Sequence, residues 1–190
     1  MRTQFRISLI TLALFTLLIG VVYPMAITGI AQCIFPYRAN GSLIRQNGQV
    51  VGSELIGQSF TDPRYFWGRP SATAPFAYNA AASAGSNLGP TNPALDQSVQ
   101  ARIEALQSAD PGNESPIPVD LVTTSASGLD PHISVAAALY QVPRVARERG
   151  LSKELVRLLV QQNTEVRQLG FLGEPRVNVL MLNLALDGLQ

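Results

Sequence analysis

LITLALFTLLIGVVYPMAITGIA, residues 9–31, is the stretch on which the reading of the whole chain turns. It lies inside a run from Ile7 to Tyr37 that carries no charged side chain. A helix of about 20 apolar residues crosses a hydrocarbon core roughly 30 Å thick, so the run predicts one membrane-spanning helix with residues left for tilt or the interface. No second stretch of this kind follows. The expected organisation is a short tail over residues 1–6, the span and its interface over 7–37 (core about 10–30), and one water-facing domain over 38–190.

Two competing readings of the run are weaker. Gly29-Ile30-Ala31 offers small residues for signal cleavage, but a signal core is only about 7 to 15 residues long and this one continues. Gln32 stands before Cys33 where a lipidation box needs a small residue. Arg2 and Arg6 crowd the leading tail, whereas Arg38 and Arg45 are spread behind the span. The positive-inside rule then expects the tail in the cytoplasm and the domain outside it. Within the span, Thr16, Gly20, Pro24 and Thr28 recur every four residues, a stripe of small or kinked positions that would let another helix approach closely.

Composition narrows the function classes. With 14% charged residues and a formal net charge of +1, the chain has no basic face to displace phosphate counterions, which argues against nucleic acid as a partner. Cys33 is the only cysteine, so no internal disulfide can form. About 150 residues bury a core without such staples. Lys153 is the only lysine, and it lies far from the small-residue stretch Ser71–Pro93, so that stretch is not a Walker-type phosphate loop.

Along the domain, Asn47-Gly48 between apolar flanks predicts a β-hairpin, with Ser42–Gln46 and Gln49–Gly57 as its sides. Phe60, Tyr65, Phe66 and Trp67 among prolines and glycines are expected to pack, an exposed aromatic contact for a protein partner being the alternative. Phe76, Tyr78 and the Gly89-Pro90 and Asn92-Pro93 pairs make Ser71–Pro93 a chain pinned to a surface rather than a disordered one. Asn92-Pro93 opens a helix through Leu95, Val99, Ile103 and Leu106, ending near Asp110-Pro111. Ile117–Thr123 reads as a strand. Asp130-Pro131-His132 reads as a helix start with Asp130 as its cap. Pro143 is expected to break that helix and Gly150 to stop the next one. Ser152 caps a helix with Leu155, Leu158, Leu159 and Gln162 along one side, and a strand near Val177 passes into a helix over Leu182–Leu189. The fold class is α+β: an N-terminal span followed by one mixed domain with a hairpin and several short helices.

Ser127, Asp130 and His132 invite a hydrolase reading, an independent membrane-anchored extracytoplasmic enzyme. No Gly-x-Ser-x-Gly elbow raises one serine above the others, and the expectation is no catalytic residue. One histidine and one cysteine, far apart, do not make a zinc site either, so no metal is expected. A secreted or lipid-anchored binding module is the other alternative.

Read together, Leu55-Ile56-Gly57-Gln58-x-Phe60, Arg69-Pro70-Ser71, Tyr78-Asn79 and Gly85-Ser86-Asn87-Leu88-Gly89-Pro90-x-Asn92-Pro93 form a dense set of motifs. Val119–Thr123, Ser127–Ser134, Gln141–Ala146, Gly173-Glu174-Pro175 and Asn183–Asp187 continue it. The whole resembles the C subunit of the Kdp-type potassium-transporting P-type ATPase, with Ala84 and Asn163 as departures where glycine and histidine are expected in many relatives. The resemblance implies a chaperone-like accessory subunit in the cell inner membrane. Such a subunit joins a potassium-channel-like subunit and a P-type ATP-hydrolysing subunit, and raises the latter's affinity for ATP. It implies no cofactor of the chain's own, ATP being bound by the partner. The expected partner-contact residues are Trp67 of the aromatic stretch and, within the matched motifs, Arg69, Pro70, Ser71, Asn87, Gly89, Pro90, Asn92, Asp130, His132, Gln141, Pro143 and Arg144.

Overall fold

The computed structural model describes residues 2–189, and the chain divides into two compact units, Met1–Leu43 and Ile44–Gln190. In the first, α1 (Arg2–Leu17), a π-helical turn (Leu18–Val22) and α2 (Tyr23–Ile34) run on as one helix of 33 residues, followed by the short α3 (Pro36–Ala39). At 1.5 Å per residue that helix is about 50 Å long, enough to cross a bilayer. The π turn has a local cause. Pro24 has no N–H to give to the carbonyl one turn back and its ring crowds that carbonyl, and the preceding turn widens so that the Tyr23 N–H reaches Leu18 O instead.

The second unit contains the strands β2 (Gln49–Ser53), β3 (His132–Ser134), β4 (Thr164–Glu165) and β5 (Arg176–Asn178), β1 (Leu43–Gln46) starting at the division between units. Its helices are α4 (Pro93–Ala109), α5 (Val135–Arg149), α6 (Lys153–Gln162) and α7 (Val179–Asp187), with a 3₁₀ turn at Val119–Leu121. β1 and β2 form the expected hairpin, Asn47 and Gly48 taking φ of +51° and +79° in its turn. The other sheet is antiparallel in the order β3-β5-β4, with Ile133 opposite Val177 and Val177 opposite Thr164. Ile133 and Val177 point into the core. It is completed by Val142, Val145 and Ala146 of α5, Val156 and Val160 of α6, Leu182 and Leu186 of α7, and Phe66, Trp67, Leu106 and Leu121. Strand alternation sends His132, Ser134, Glu165 and Arg176 to the opposite, polar face.

Five expectations are corrected. Ile117–Thr123 is no strand: its centre is the 3₁₀ turn, where the Asp120 carboxylate reaches the Ser134 N–H at 2.7 Å and hydroxyl at 3.1 Å. Residues 132–134 are a strand, and the helix after them starts at Val135 with Ser134, not Asp130, as cap. Pro143 does not break α5. Its loss of a helical bond, of order 3 kcal/mol, is offset by the burial of Tyr140, Val142, Val145 and Ala146 on either side. On α6 the buried face is Val156, Leu159 and Val160, while Leu155 and Leu158 are exposed. The caps at Asn92, Ser152 and Gly150 stand where the sequence put them. α7 begins at Val179, three residues before the expected start, because Asn178 accepts the Met181 N–H and caps it there.

Candidate functional site

His132 and Ser134 of β3 and Arg176 of β5 line an open cleft of about 550 Å³, whose walls include Arg69, Pro118, Asp120 and Glu174. A chain of paired ionisable side chains runs from its wall along the sheet. Arg69 Nη1 lies 3.4 Å from Asp130 Oδ2, and Asp130 Oδ1 lies 3.2 Å from His132 Nδ1. His132 Nε2 lies 3.5 Å from Glu165 Oε1, and Glu165 Oε2 lies 3.0 Å from Arg176 Nε. Burial pushes the Asp130 carboxyl up, but hydrogen bonds from the His132 ring and N–H, with the Arg69 charge, outweigh it and hold the group below its ordinary range.

This arrangement ties segments together. A histidine acting as general base needs a ring nitrogen turned to the group it deprotonates, and here each nitrogen faces a carboxylate. Ser127 Oγ, the hydroxyl of the hydrolase reading, accepts the Leu129 N–H at 3.1 Å. Among the described residues no group of His, Cys, Asp and Glu side chains is arranged to hold a metal ion.

In the interior, two side-chain amides grip consecutive backbone residues. Asn183 accepts the Phe66 N–H at 2.9 Å and donates to Phe66 O at 3.0 Å. Gln141 accepts the Trp67 N–H at 2.8 Å and donates to Trp67 O at 3.1 Å. Each amide thus replaces the partner strand that a buried backbone segment requires. The guanidiniums of Arg144, at 4.6 Å, and Arg102, at 5.2 Å, both lie over the Trp67 ring. Burial lowers the Arg144 pKa to about 10. Its charge is met by the carbonyls of Pro63 and Tyr65 and by Gln141 Oε1.

The first part of the small-residue stretch, residues 71–84, is pinned as expected, whereas the Gly89-Pro90 and Asn92-Pro93 pairs are exposed. Ser71 Oγ donates to Gly128 O at 2.7 Å and accepts the Tyr78 N–H, Thr73 Oγ1 donates to Phe76 O, and the Tyr78 hydroxyl donates to Arg69 O at 2.6 Å. The Ala74-Pro75 peptide is cis. Gly128, at φ +67°, allows this strap to lie close: a Cβ there would meet Thr73 Cγ2 at 2.7 Å.

Of the residues singled out from the sequence, Arg69, Asp130 and His132 meet in the cleft. Trp67, Gln141 and Arg144 meet in the core, where their contacts are internal; the aromatic cluster is packed and Trp67 is no exposed contact. Pro70 and Ser71 belong to the pinned strap and Pro143 to the interior of α5. Asn87, Gly89, Pro90 and Asn92 are exposed on the way into α4, Asn92 capping it. Thr16, Gly20, Pro24 and Thr28 lie on the long helix of the other unit. Glu165 and Arg176 were not singled out: each is an ordinary surface charge until two strands pair them. Asn183 entered only as part of a motif; it interrupts the apolar run VNVLMLNLALD, and that interruption is the local signal of a buried polar role.

A family model described as KdpC, K+-transporting ATPase, c chain, matches residues 5–188. A Methylococcus capsulatus protein described as potassium-transporting ATPase KdpC subunit is 64% identical over 190 residues, covering 100% of both chains. Proteins of the same description from Herpetosiphon aurantiacus and a Janthinobacterium species are 65% and 61% identical over 187 residues. They cover 98% of this chain, and 97% and 99% of their own. Over nearly its full length, from the long apolar helix to α7, this chain belongs to the KdpC family, the c chain of the K+-transporting ATPase.

Proposed function

We propose that this chain is a non-catalytic, chaperone-like accessory subunit that stabilises the potassium-transporting complex and raises the ATP affinity of its ATP-hydrolysing subunit. The other partner is a potassium-channel-like subunit. The observation that carries this reading is how the reactive groups are used: the one histidine is bracketed by two carboxylates, and Ser127, Asp120 and Ser134 are spent on backbone N–H groups. A domain so cross-braced is suited to be held against partners rather than to turn over a substrate.

The single span is anchored in the cell inner membrane, with the arginine-bearing tail in the cytoplasm and the domain outside. The domain does not then touch the nucleotide. Its effect on ATP reaches the catalytic subunit as a coupling free energy between distant sites, and a tenfold change in affinity needs only about 1.4 kcal/mol. ATP is bound by the partner, and this chain contributes no cofactor.

The test is to purify the assembled ATPase with and without this chain and measure the apparent KM for ATP of potassium-dependent hydrolysis. Omission is expected to raise KM about tenfold or to leave an unstable assembly that this chain restores when added back. Equal KM and equal stability in both preparations, or hydrolysis of ATP by the purified chain alone, would overturn the reading.

A further inference from the structure

Between β4 and β5 the chain makes a hairpin whose end gathers apolar side chains in water. Val166, Leu169 and Phe171 are 81%, 83% and 69% exposed, and Leu172 joins them at 48%. Elsewhere in this unit exposed large apolar residues are scattered along the chain, and single ones need no explanation. Four within seven residues do. The turn is closed, not loose: the Gln168 N–H donates to Leu172 O and the Leu172 N–H to Gln168 O, both at 2.9 Å, and the Gly170 N–H donates to Arg167 O at 3.1 Å. Its arms belong to the sheet that carries Val177 into the core and His132 into the cleft, so the end is presented from a rigid base.

The charges around the tip say what kind of surface covers it. Arg167 pairs with Glu174 at 2.6 Å and Arg176 with Glu165 at 3.0 Å, each across the hairpin. An anionic bilayer surface is recognised by basic side chains left free to meet it. Here both arginines are neutralised within the hairpin, leaving an aromatic and three aliphatic side chains above a ring of satisfied charge. That pattern, an apolar centre with a polar rim, belongs to protein interfaces, and a turn already closed gives up little conformational freedom on docking.

We infer that the tip at residues 166–172 is a docking element of this chain, with Phe171 and Leu169 as its anchors, and that it seats in an uncharged apolar recess on another protein subunit of the ATPase. The inference rests on the accessory-subunit reading above. It adds which element makes the contact and what chemistry receives it.

The test uses the complete ATPase in lipid nanodiscs, with Phe171 replaced by the photo-cross-linker p-benzoylphenylalanine. Illumination is expected to join this chain to one of the larger subunits, seen as a heavier band and identified by mass spectrometry. In a second arm, Leu169→Ser with Phe171→Ser should reduce retention of this chain by the complex at least tenfold while the Tm of the isolated chain stays unchanged, since neither side chain is packed. An adduct with lipid alone, an adduct with a second copy of this chain, or no adduct would overturn the inference, as would wild-type retention of the double variant. If the double variant loses Tm, the cross-link alone decides. Failure of the wild-type chain to co-purify with any larger subunit would instead sink the accessory reading, and this inference with it.

Discussion

Gln141 and Asn183 show how one side chain does the work of a strand. Each is buried at about 1% exposure and satisfies both the N–H and the carbonyl of one residue in Phe66-Trp67. Leucine would fill nearly the same volume and satisfy neither. Gln141→Leu should therefore cost about 3 kcal/mol, from two buried backbone groups left without partners, read as a lower urea midpoint of the purified chain. A midpoint equal to wild type would mean water reaches Trp67. Asp130 makes a different prediction. Its folded carboxyl titrates below its ordinary value of 3.8, so the stability it supplies is present above about pH 4 and lost as pH falls through the lower folded value. Between pH 6 and pH 3 the urea midpoint of wild type should fall further than that of Asp130→Asn. Parallel declines would show that the cleft network contributes nothing to acid sensitivity.

At the scale of elements, the long helix repays attention to its π turn. Residues four apart on an α-helix drift about 40° around the axis per step, which would wind the Thr16, Gly20, Pro24 and Thr28 stripe away from any one neighbour. The wide turn at Leu18–Val22 lies between Thr16 and Pro24 and offsets part of that drift. The stripe is thus straighter than the spacing implies, and a Cβ at Gly20 would find its nearest neighbour, Thr16 Cγ2, at 4.0 Å, so nothing inside the helix demands glycine. Gly20→Leu should insert normally yet weaken retention of this chain by the other subunits in detergent, because bulk there keeps a second backbone at a distance. Leu14→Ala, off the stripe, is the control. If only the Leu14 change loses the complex, the contact face is the other one.

For the whole molecule, the decisive question is whether the cleft works as chemistry or as bracing. As bracing, His132→Ala leaves potassium-dependent ATPase turnover of the assembled complex within a few-fold of wild type, measured at saturating ATP. Abolished turnover in complexes that still contain the folded variant would make the imidazole a participant.

Local signals in the sequence determined the long apolar helix, the Asn47-Gly48 hairpin, the Asn92, Ser152 and Gly150 caps and the packed aromatic cluster. Each depends on a few neighbouring residues: a run without charge, a dipeptide that accepts positive φ, a side chain that reaches an N–H two or three residues on. Only tertiary structure decided the rest. His132–Ser134 has a helix-start sequence but is a strand because β5 lies beside it, and Ser134 then caps α5 with Asp120 holding it from the 3₁₀ turn. Pro143 stays inside a helix because the core on either side outweighs the missing bond. The cleft network brings Arg69, Asp130, His132, Glu165 and Arg176 together from distant parts of the chain. No local pattern records the pairing of β3 with β5, since what fixes it is the burial of Ile133 against Val177, and that exists only after the sheet has formed.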